Sequence, residues 1–398
     1  MDRRVRAHPP AFSSLFAAVL AILAALLAEG AVAATHLAQV IRVGPTQPVK
    51  RIADAARLAK DGDTVEIDAG DYVADVAVWD KANLTIRGLG GMARIAAGGA
   101  SVEGKGTWVI RGGRIVIENV AFSGSRVSDG NGAGIRFERG SLHLINCVFT
   151  DNQNGILTGH DPDSELEIER SEFGNNGGGD GYTHNLYVGA IRRLKVTGSY
   201  FHHANVGHLL KSRAQENYVM YNRLTDETGG RASYELEFPS GGLAYVVGNI
   251  IQQGPNTQNP SIISFGAEGY RWPRNELYLV NNTIANDRSE GGSFLHVAPG
   301  AHRVRAINNL LLGKGSLEET QPGEYAANFH AAQADLAAAA DQDYRIKLTS
   351  RLLGKAIDPG QANGVNLRPG HEYVHARQSR PTQARGLGSP GALQSVPP

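Results

Sequence analysis

Cationic and imidazole side chains are concentrated between residues 181 and 215, a stretch that contains no Asp or Glu. It includes Arg192, Lys211 and Arg213 together with His184 and His208. The whole chain balances 39 Lys and Arg against 39 Asp and Glu, so no overall field attracts nucleic acid. Few aromatic residues lie between these cations, which also argues against a single-stranded nucleic acid. The stretch therefore predicts a local site for another anion, and we expect an acidic polysaccharide.

These residue types suit chemistry on a uronic acid. β-Elimination and C5 epimerisation both begin when a base removes the proton beside the sugar carboxylate, and the developing enolate needs cations or hydrogen-bond donors. We expect Lys211 to be the base and Arg213 to neutralise the substrate carboxylate. Tyr187 or His184 would protonate the leaving oxygen in a lyase or return a proton in an epimerase, and His208 belongs to the same catalytic group.

The alternation of apolar and polar residues predicts which side chains point outward. Leu186 and Val188 should point inward, so Tyr187 and Asn185 should point outward. The same argument places Lys211 with Arg213, Glu235 with Glu237, and His296 on the outside. The side chains that we expect to bind substrate are Asn185, Arg192, Ser264, Glu268 and His296.

Two other functions remain open. Glu235 and Glu237 are two residues apart on one predicted strand, so their carboxyl groups would be roughly 6–7 Å apart, near the range of inverting glycoside hydrolases. A polysaccharide-binding protein without activity would use the same surface. A purely structural alternative is an ion-pair ladder in which Lys211 and Arg213 face the two glutamates, worth about 0–1 kcal/mol per exposed pair.

A repeated segment predicts the architecture that would hold these residues. Eight short segments share a small or polar residue just before an apolar anchor, and successive anchors are 23 to 33 residues apart. The anchors are Phe122, Phe149, Phe173, Phe201, Leu224, Ile251, Ile284 and Leu311. One such unit cannot bury its apolar face alone, so stacking on its neighbours is expected. The pattern predicts an all-β chain that forms a parallel β-helix over residues 34–315; an antiparallel sandwich does not explain the period.

Flanking segments complete this prediction. Residues 49–60 have the spacing of an amphipathic helix that would cover the first turn. Residues 316–398 should form a C-terminal segment that caps the last turn and wraps the β-helix, with a helix in the Ala-rich part at 325–340. The stretch 53–72, followed by Asn83 to Gly88, resembles the opening of pectin-lyase-like right-handed parallel β-helix proteins, and the resemblance extends over about residues 41–315. It implies the fold, which lyases, epimerases, hydrolases and phage tailspikes share.

A second resemblance bears on the site. Residues 210–222 are similar to the Lys-Ser-x-x-x-Asn-x-x-x-x-Asn region of alginate lyases and chondroitinase B, which implies that Lys211 is the base. Asn217 and Asn222 each lie one residue later than the asparagines of that motif. The calcium-binding carboxylates and the Arg-His-Gly segment of those enzymes have no counterpart in this sequence. We therefore expect no cofactor. Zinc-ligand spacing is absent, and Asp161 with Asp163 is the remaining candidate for calcium.

The first 33 residues have the pattern of a signal peptide. Three arginines precede an apolar run at 15–27, and Ala31 to Ala33 supply small residues for cleavage. We expect a secreted or periplasmic monomer that has no membrane anchor after cleavage. The single Cys147 cannot form an internal disulfide.

Overall fold

The computed structural model describes Met1, residues 36–382 and residues 386–395. Apart from Met1, the predicted signal peptide lies outside the described residues. Within the described part of the chain, no helix has the length and apolar character needed to cross a membrane.

The chain forms a parallel β-helix of about ten turns, as predicted. Each strand pairs in parallel with the strand one turn earlier and one turn later, and the strands lie in three columns, which we call sheets 1, 2 and 3. Apolar residues alternate with polar ones along them: in Arg193–Thr197, Leu194 and Val196 are buried and Lys195 is exposed. Stacking buries this apolar face, because one turn has no partner for it within itself.

The early strands are long and bend from one sheet into the next, whereas the later ones are short. Sheet 1 contains Val40–Val43, Thr64–Val73, Leu84–Ala96, Gly106–Glu118, Ala133–Ile145, Glu165–Glu169, Arg193–Thr197, Glu216–Met220, Leu243–Val247, Glu276–Val280, Arg303–Ile307 and Gly323–Ala326. Sheet 2 contains parts of Thr64–Val73 and Leu84–Ala96, then Val120–Ser123, Val148–Thr150, Glu172–Gly174, Tyr200–His202, Arg223–Thr225, Ile250–Gln253, Thr283–Asn286, Leu310–Gly313 and Phe329–His330. Sheet 3 contains Ala77–Trp79, parts of Gly106–Glu118 and Ala133–Ile145, then Asn154–Thr158, Leu186–Val188, Leu210–Ser212, Leu236–Phe238, Ser261–Phe265, Ser293–Val297 and Ser316–Leu317.

Like residues stack along the interior. Four phenylalanines from Phe122 to Phe201 form a continuous stack with ring centroids 5.2, 4.7 and 4.7 Å apart. At the turn between sheets 1 and 2, the side-chain amide of Asn222 donates to the side-chain oxygen of Asn249 at 3.1 Å. The side-chain amide of Asn249 donates in the same way to the oxygen of Asn282 at 3.0 Å. These asparagines also bond backbone groups, so the turn is both buried and satisfied.

Helix Ile52–Leu58 lies at the N-terminal end, shorter than the predicted 49–60. Its Ile52 and Ala55 are buried, and the carboxylate of Asp75 accepts the backbone N–H groups of Ile52 and Ala53 at 2.7 and 2.9 Å. Its apolar face therefore covers the first turn, and Asp75 satisfies two of the N–H groups that a helix start leaves without partners.

The C-terminal segment differs in detail from the prediction. Stacked strands continue to His330, beyond residue 315, and the Ala-rich run is not an α-helix. Its elements are the 3-10 turns Gln333–Asp335 and Ala339–Asp341 and three antiparallel pairs: Leu336–Ala338 with Asp343–Ile346, Gln361–Ala362 with Val365–Asn366, and His371–Val374 with Gln378–Pro381. The alanines have high helix propensity, but the pairing of strand Gly323–Ala326 with sheet 1 takes precedence. The segment wraps sheets 1 and 2; for example, Tyr245 donates to the carbonyl of Ala362.

The asparagine ladder allows a direct test of stability. In N249A the backbone N–H of Asn222 and the carbonyl of Val219 each lose a buried partner, so we expect the free energy of unfolding to fall by about 2–4 kcal/mol. Urea denaturation measures this. N366A, at an exposed position, is the control; equal loss in both variants would contradict the role of the ladder.

Candidate functional site

One column of sheet 3 holds three of the seven predicted catalytic side chains. The parallel register places Tyr187 beside Lys211, Lys211 beside Glu237, and Glu237 beside Ser264. His296 follows Ser264 in the same column. Neighbouring strands are about 4.8 Å apart, so side chains distant in the sequence come into contact here.

Lys211 and Arg213 lie in a network of opposite charges. The amino group of Lys211 lies 3.1 Å from Oε2 of Glu237 and 3.3 Å from Oε1 of Glu268. Arg213 contacts Glu268 through Nη2 at 2.6 Å and through Nε at 3.1 Å. Burial raises the pKa of Glu237, but His208 and Lys211 outweigh it and hold the pKa below its usual value. Both carboxylates are therefore ionised at neutral pH.

Tyr187 is fixed from two directions. Arg213 donates a hydrogen bond from Nη1 to its hydroxyl oxygen, and the guanidinium carbon lies 5.1 Å from the centre of its ring. The ring of His184 stacks on Tyr187 with centroids 5.4 Å apart. Trp272 donates from its indole N–H to the carbonyl of Arg213 at 3.1 Å, which holds this strand end in place. The Tyr187 hydroxyl is thus positioned beside the guanidinium group of Arg213.

Two buried histidines form the support beneath these groups. His184 accepts the backbone N–H of His208 at Nδ1 (2.9 Å), so its proton resides on Nε2. Burial, together with the nearby His208 and Lys211, holds the pKa of His184 well below its usual value. Burial also lowers the pKa of His208, whose Nε2 lies 2.9 Å from Glu237. Both imidazoles are neutral at neutral pH, and His184 can act as a hydrogen-bond donor.

The side chains border an open cavity of about 470 Å³. Its lining includes the predicted Lys211, Arg213, Tyr187, His184 and Glu268, and every lining residue lies between residues 131 and 268. None of the described residues of the C-terminal segment therefore lines the cavity.

Sequence reasoning missed eight of the thirteen described residues that line this cavity, among them Arg136, His160 and Tyr182. Arg136 pairs in register with Leu157, which pairs through its strand with Tyr187, so it belongs to the same column. Among the described residues no carboxylate lies within 4.0 Å of its guanidinium, and its buried Nε has no hydrogen-bond partner. Inward and outward residues alternate in Ile135 to Phe137. This alternation, compared with that of the later repeats, could have identified Arg136 from the sequence.

The cations of the cavity affect the pKa of His160. Burial lowers the pKa of His160, and the charges of Arg213 and Arg136 lower it further. Tyr182 is exposed at the cavity and offers an aromatic surface. The cavity thus combines cations, neutral donors and one exposed ring.

The predicted outward positions of Asn185 and Glu235 are wrong. Both side chains are fully buried. Each residue immediately precedes a three-residue strand of sheet 3, and Leu209 occupies the same position on the turn between them. This position still belongs to the turn, so the inward and outward alternation of the strand does not apply to it. Asn185 accepts from the amide of Asn176 and donates to two carbonyls, a structural role. The apolar Leu209 was the sequence signal that this position faces inward.

Glu235 therefore cannot form an external carboxylate pair with Glu237. Its Oε1 has no hydrogen-bond partner among the described residues, and Oε2 lies 3.5 Å from the amide of Gln253. Burial, and next the negative charge of Asp226, raise the pKa of Glu235 well above its usual value. The alternative of an inverting glycoside hydrolase therefore lacks one of its two carboxylates, because Glu235 is not on the outer surface.

Three further predicted residues lie outside the cavity. Arg192 is exposed where the chain enters sheet 1 and contacts Glu165 at 2.9 Å. The neighbouring Arg193 and Lys195 also bind glutamates on adjacent turns, so the cationic stretch of the sequence is divided between two sheets. Ser264 is fully buried and His296 contacts Glu318 at 2.8 Å, although both share the column of Lys211.

The residues around Lys211 do not fit calcium. Ca²⁺ needs several oxygen ligands, whereas Glu237 and Glu268 are both engaged with cations. In the predicted candidate, Asp161 accepts bonds from Asp163 and Ser164 of its own turn. Within residues 36–382 and 386–395, one group of suitable ligand atoms lies within 4.8 Å of one another, in His143, Glu167 and Glu169 on sheet 1. Glu167 there binds Lys195.

Comparison with known proteins supports the fold. No family model and no curated protein matches this chain. The crystal structure of pectate lyase Pel9A is similar with a TM-score of 0.61 and 11% sequence identity, over 90% of this chain and 97% of that one. This likeness shows the parallel β-helix fold of pectin-lyase-like proteins.

The buried Asp226 beside Glu235 generates a pH-dependent prediction. Burial raises the pKa of Asp226 from 3.8 to about 7. Because the folded-state pKa lies above the unfolded value, its stabilising contribution is complete below about pH 4 and is lost as the pH rises to about 7. We expect the D226N variant to gain stability relative to the parent chain over this window, by roughly 4 kcal/mol at about 1.36 kcal/mol per pH unit.

Urea denaturation at pH 4 to 8 tests this expectation. D163N, an exposed position on the other side of sheet 3, is the control and should show no such trend. A constant difference between D226N and the parent chain across the pH range would contradict a buried proton on Asp226.

Proposed function

We propose that this chain binds a uronate-containing polysaccharide in the cavity on sheet 3 and acts on it as a β-elimination lyase or C5 epimerase. The observation that carries the proposal is the charge of the cavity. Arg136, Lys211 and Arg213 line it, and Arg136 has no carboxylate within 4.0 Å among the described residues. An anionic ligand would complete this charge, and guanidinium groups bind carboxylates with two parallel hydrogen bonds.

The contacts support the following distribution of roles. Lys211 and Arg213 would bind the sugar carboxylate and stabilise the enolate that forms when the C5 proton leaves. Lys211 contacts two carboxylates as a cation, which favours this electrostatic role over the predicted role as base. Tyr187 would accept the C5 proton on its phenolate oxygen, because Arg213 donates to this oxygen and would compensate its negative charge.

The remaining steps keep protons and electrons balanced. The C5–H electron pair moves into the enolate and then expels the C4 oxygen in a lyase, with formation of a double bond. The leaving oxygen takes the proton that Tyr187 has accepted from C5, and the neutral His184 can donate a hydrogen bond from Nε2 to that oxygen. In an epimerase the enolate instead takes a proton from water on its opposite face, and Tyr187 gives the C5 proton to solvent.

Further observations support export of the protein and a polymeric substrate. The pattern of residues 1–33 favours secretion or a periplasmic location. The structural neighbour is a pectate lyase by name, which makes pectate the first polymer to test. Residues Arg136 and Lys211 are three strands apart in one column, about 14 Å, so a chain of sugars could reach both.

Activity on a panel of uronic acid polymers tests the proposal. With pectate, alginate and glycosaminoglycans, a lyase produces an ultraviolet-absorbing unsaturated product, whereas an epimerase incorporates solvent deuterium. We expect Y187F to reduce the rate by about 10²–10⁴-fold, the usual contribution of a proton-transfer group. Y218F on sheet 1 is the matched control. New reducing ends without ultraviolet absorbance would indicate hydrolysis. Binding of a polymer without any reaction would indicate a carbohydrate-binding protein. Either result overturns the lyase or epimerase assignment.

Arg136 should matter for polymer binding. In R136A a charge-assisted hydrogen bond to the substrate is lost, so we expect the Kd for a bound polymer to rise roughly 10–100-fold. Binding of the monosaccharide at Lys211 and Arg213 should change little, because one sugar cannot span the distance to Arg136. Isothermal titration calorimetry measures both, with R303A, an exposed arginine of sheet 1, as the control. An unchanged polymer Kd would show that Arg136 lies outside the binding path.

A further inference from the structure

Glu268 occupies the two cations that the proposed function assigns to the substrate. It lies after strand Ser261–Phe265, and its carboxylate reaches Lys211 and Arg213, 57 and 55 residues earlier in the chain. Nη2 of Arg213 lies 2.6 Å from each of its oxygens, and Nζ of Lys211 lies 3.3 Å from Oε1. A uronate carboxylate bound by the same cations would need this position.

The backbone of Glu268 is anchored while its side chain is exposed. Its N–H donates to the carbonyl of Pro239 at 2.9 Å. Two residues later, the hydroxyl of Tyr270 donates to the carbonyl of Ala298 at 2.6 Å. The Glu268 side chain nevertheless keeps 39% of its surface in contact with solvent. Rotation about side-chain bonds, which is fast for exposed residues, is therefore enough to remove the carboxylate from the cations.

We propose that Glu268 is an internal substitute for the substrate carboxylate, which a bound anion must displace. This inference rests on the proposed function for the identity of that anion, a uronate. The pKa of Glu268 is consistent with it: burial raises the pKa, but the hydrogen bonds and charges of Arg213 and Lys211 together outweigh burial, so the carboxylate stays charged at neutral pH. An ion pair with an exposed carboxylate is weak, so the exchange of one carboxylate for another costs little.

The substitute sets a threshold for binding. While Glu268 is in place, Lys211 and Arg213 are neutralised and attract small anions weakly. A polymer that also binds Arg136 gains an additional contact and therefore displaces Glu268 more readily than an isolated small anion does. Glu268 thus selects for long polyanions over monovalent or short ones.

The test uses anion binding rather than turnover. Trp272 reports on the site, because its indole N–H contacts the carbonyl of Arg213, whereas Trp79 and Trp108, the two other tryptophans, are fully buried in the core. Sulfate and pectate are titrated separately into the parent chain, E268Q, E268A and the control E324Q, which removes the partner of Arg305 on sheet 1. We expect both Glu268 variants to bind sulfate roughly fivefold more tightly than the parent chain, and E324Q to bind it equally.

The two ligands separate the inference from the function on which it rests. Unchanged or weaker sulfate binding in both Glu268 variants overturns the substitute role and assigns Glu268 to substrate binding or to structure. Tighter sulfate binding without binding of pectate or any other uronate polymer supports the substitute role and contradicts the proposed function. A gain in sulfate affinity that exceeds the gain in pectate affinity supports selection for long polyanions, whereas equal gains contradict it.

Discussion

The parallel register of sheet 3 is the constraint on which the site depends. Leu186, Leu210 and Leu236 stack on one another inside the β-helix, and this stacking places Tyr187, Lys211 and Glu237 beside one another outside. A slip of one residue would exchange inward and outward side chains, so the apolar interior fixes the external column. Because strands Leu186–Val188, Leu210–Ser212 and Leu236–Phe238 are only three residues long, each strand contributes one outward side chain, and the site needs several turns.

Charge compensation determines what these side chains can do. Lys211 is held between Glu237 and Glu268, and Arg213 binds Glu268 while it donates to Tyr187. Burial keeps the two supporting histidines neutral, so the positive field of the cavity comes from lysine and arginine. The ion-pair ladder considered from the sequence is therefore present in part, through Glu237, but the second partner is the distant Glu268 rather than Glu235. An ion pair with an exposed loop residue can exchange, which a ladder within the sheet cannot do as easily.

Sequence reasoning succeeded where a residue lies inside a regular strand and failed at strand ends. Alternation and the repeat together placed Tyr187, Lys211 and Glu237 on one ridge. Asn185 and Glu235 lie one residue before their strands, where the chain still turns and the side chain points into the interior. Arg192 is close to Lys211 in sequence, yet the chain passes from sheet 3 to sheet 1 between successive strands, so the two cations face different sides. Neither the turn geometry nor the assignment of a strand to a sheet can be read from local periodicity.

The sequence by itself determined the architecture and much of the outward column, because a period of 23 to 33 residues and alternating apolar residues leave stacking as the way to bury the apolar face. Tertiary structure alone decided which charges meet. Glu268 reaches across two turns to Arg213, Arg136 joins the cavity from three strands away, and Glu235 is enclosed beside Asp226. These relations depend on side-chain reach and on the three-dimensional path of each turn, which separate residues that are near in sequence and join residues that are more than fifty positions apart.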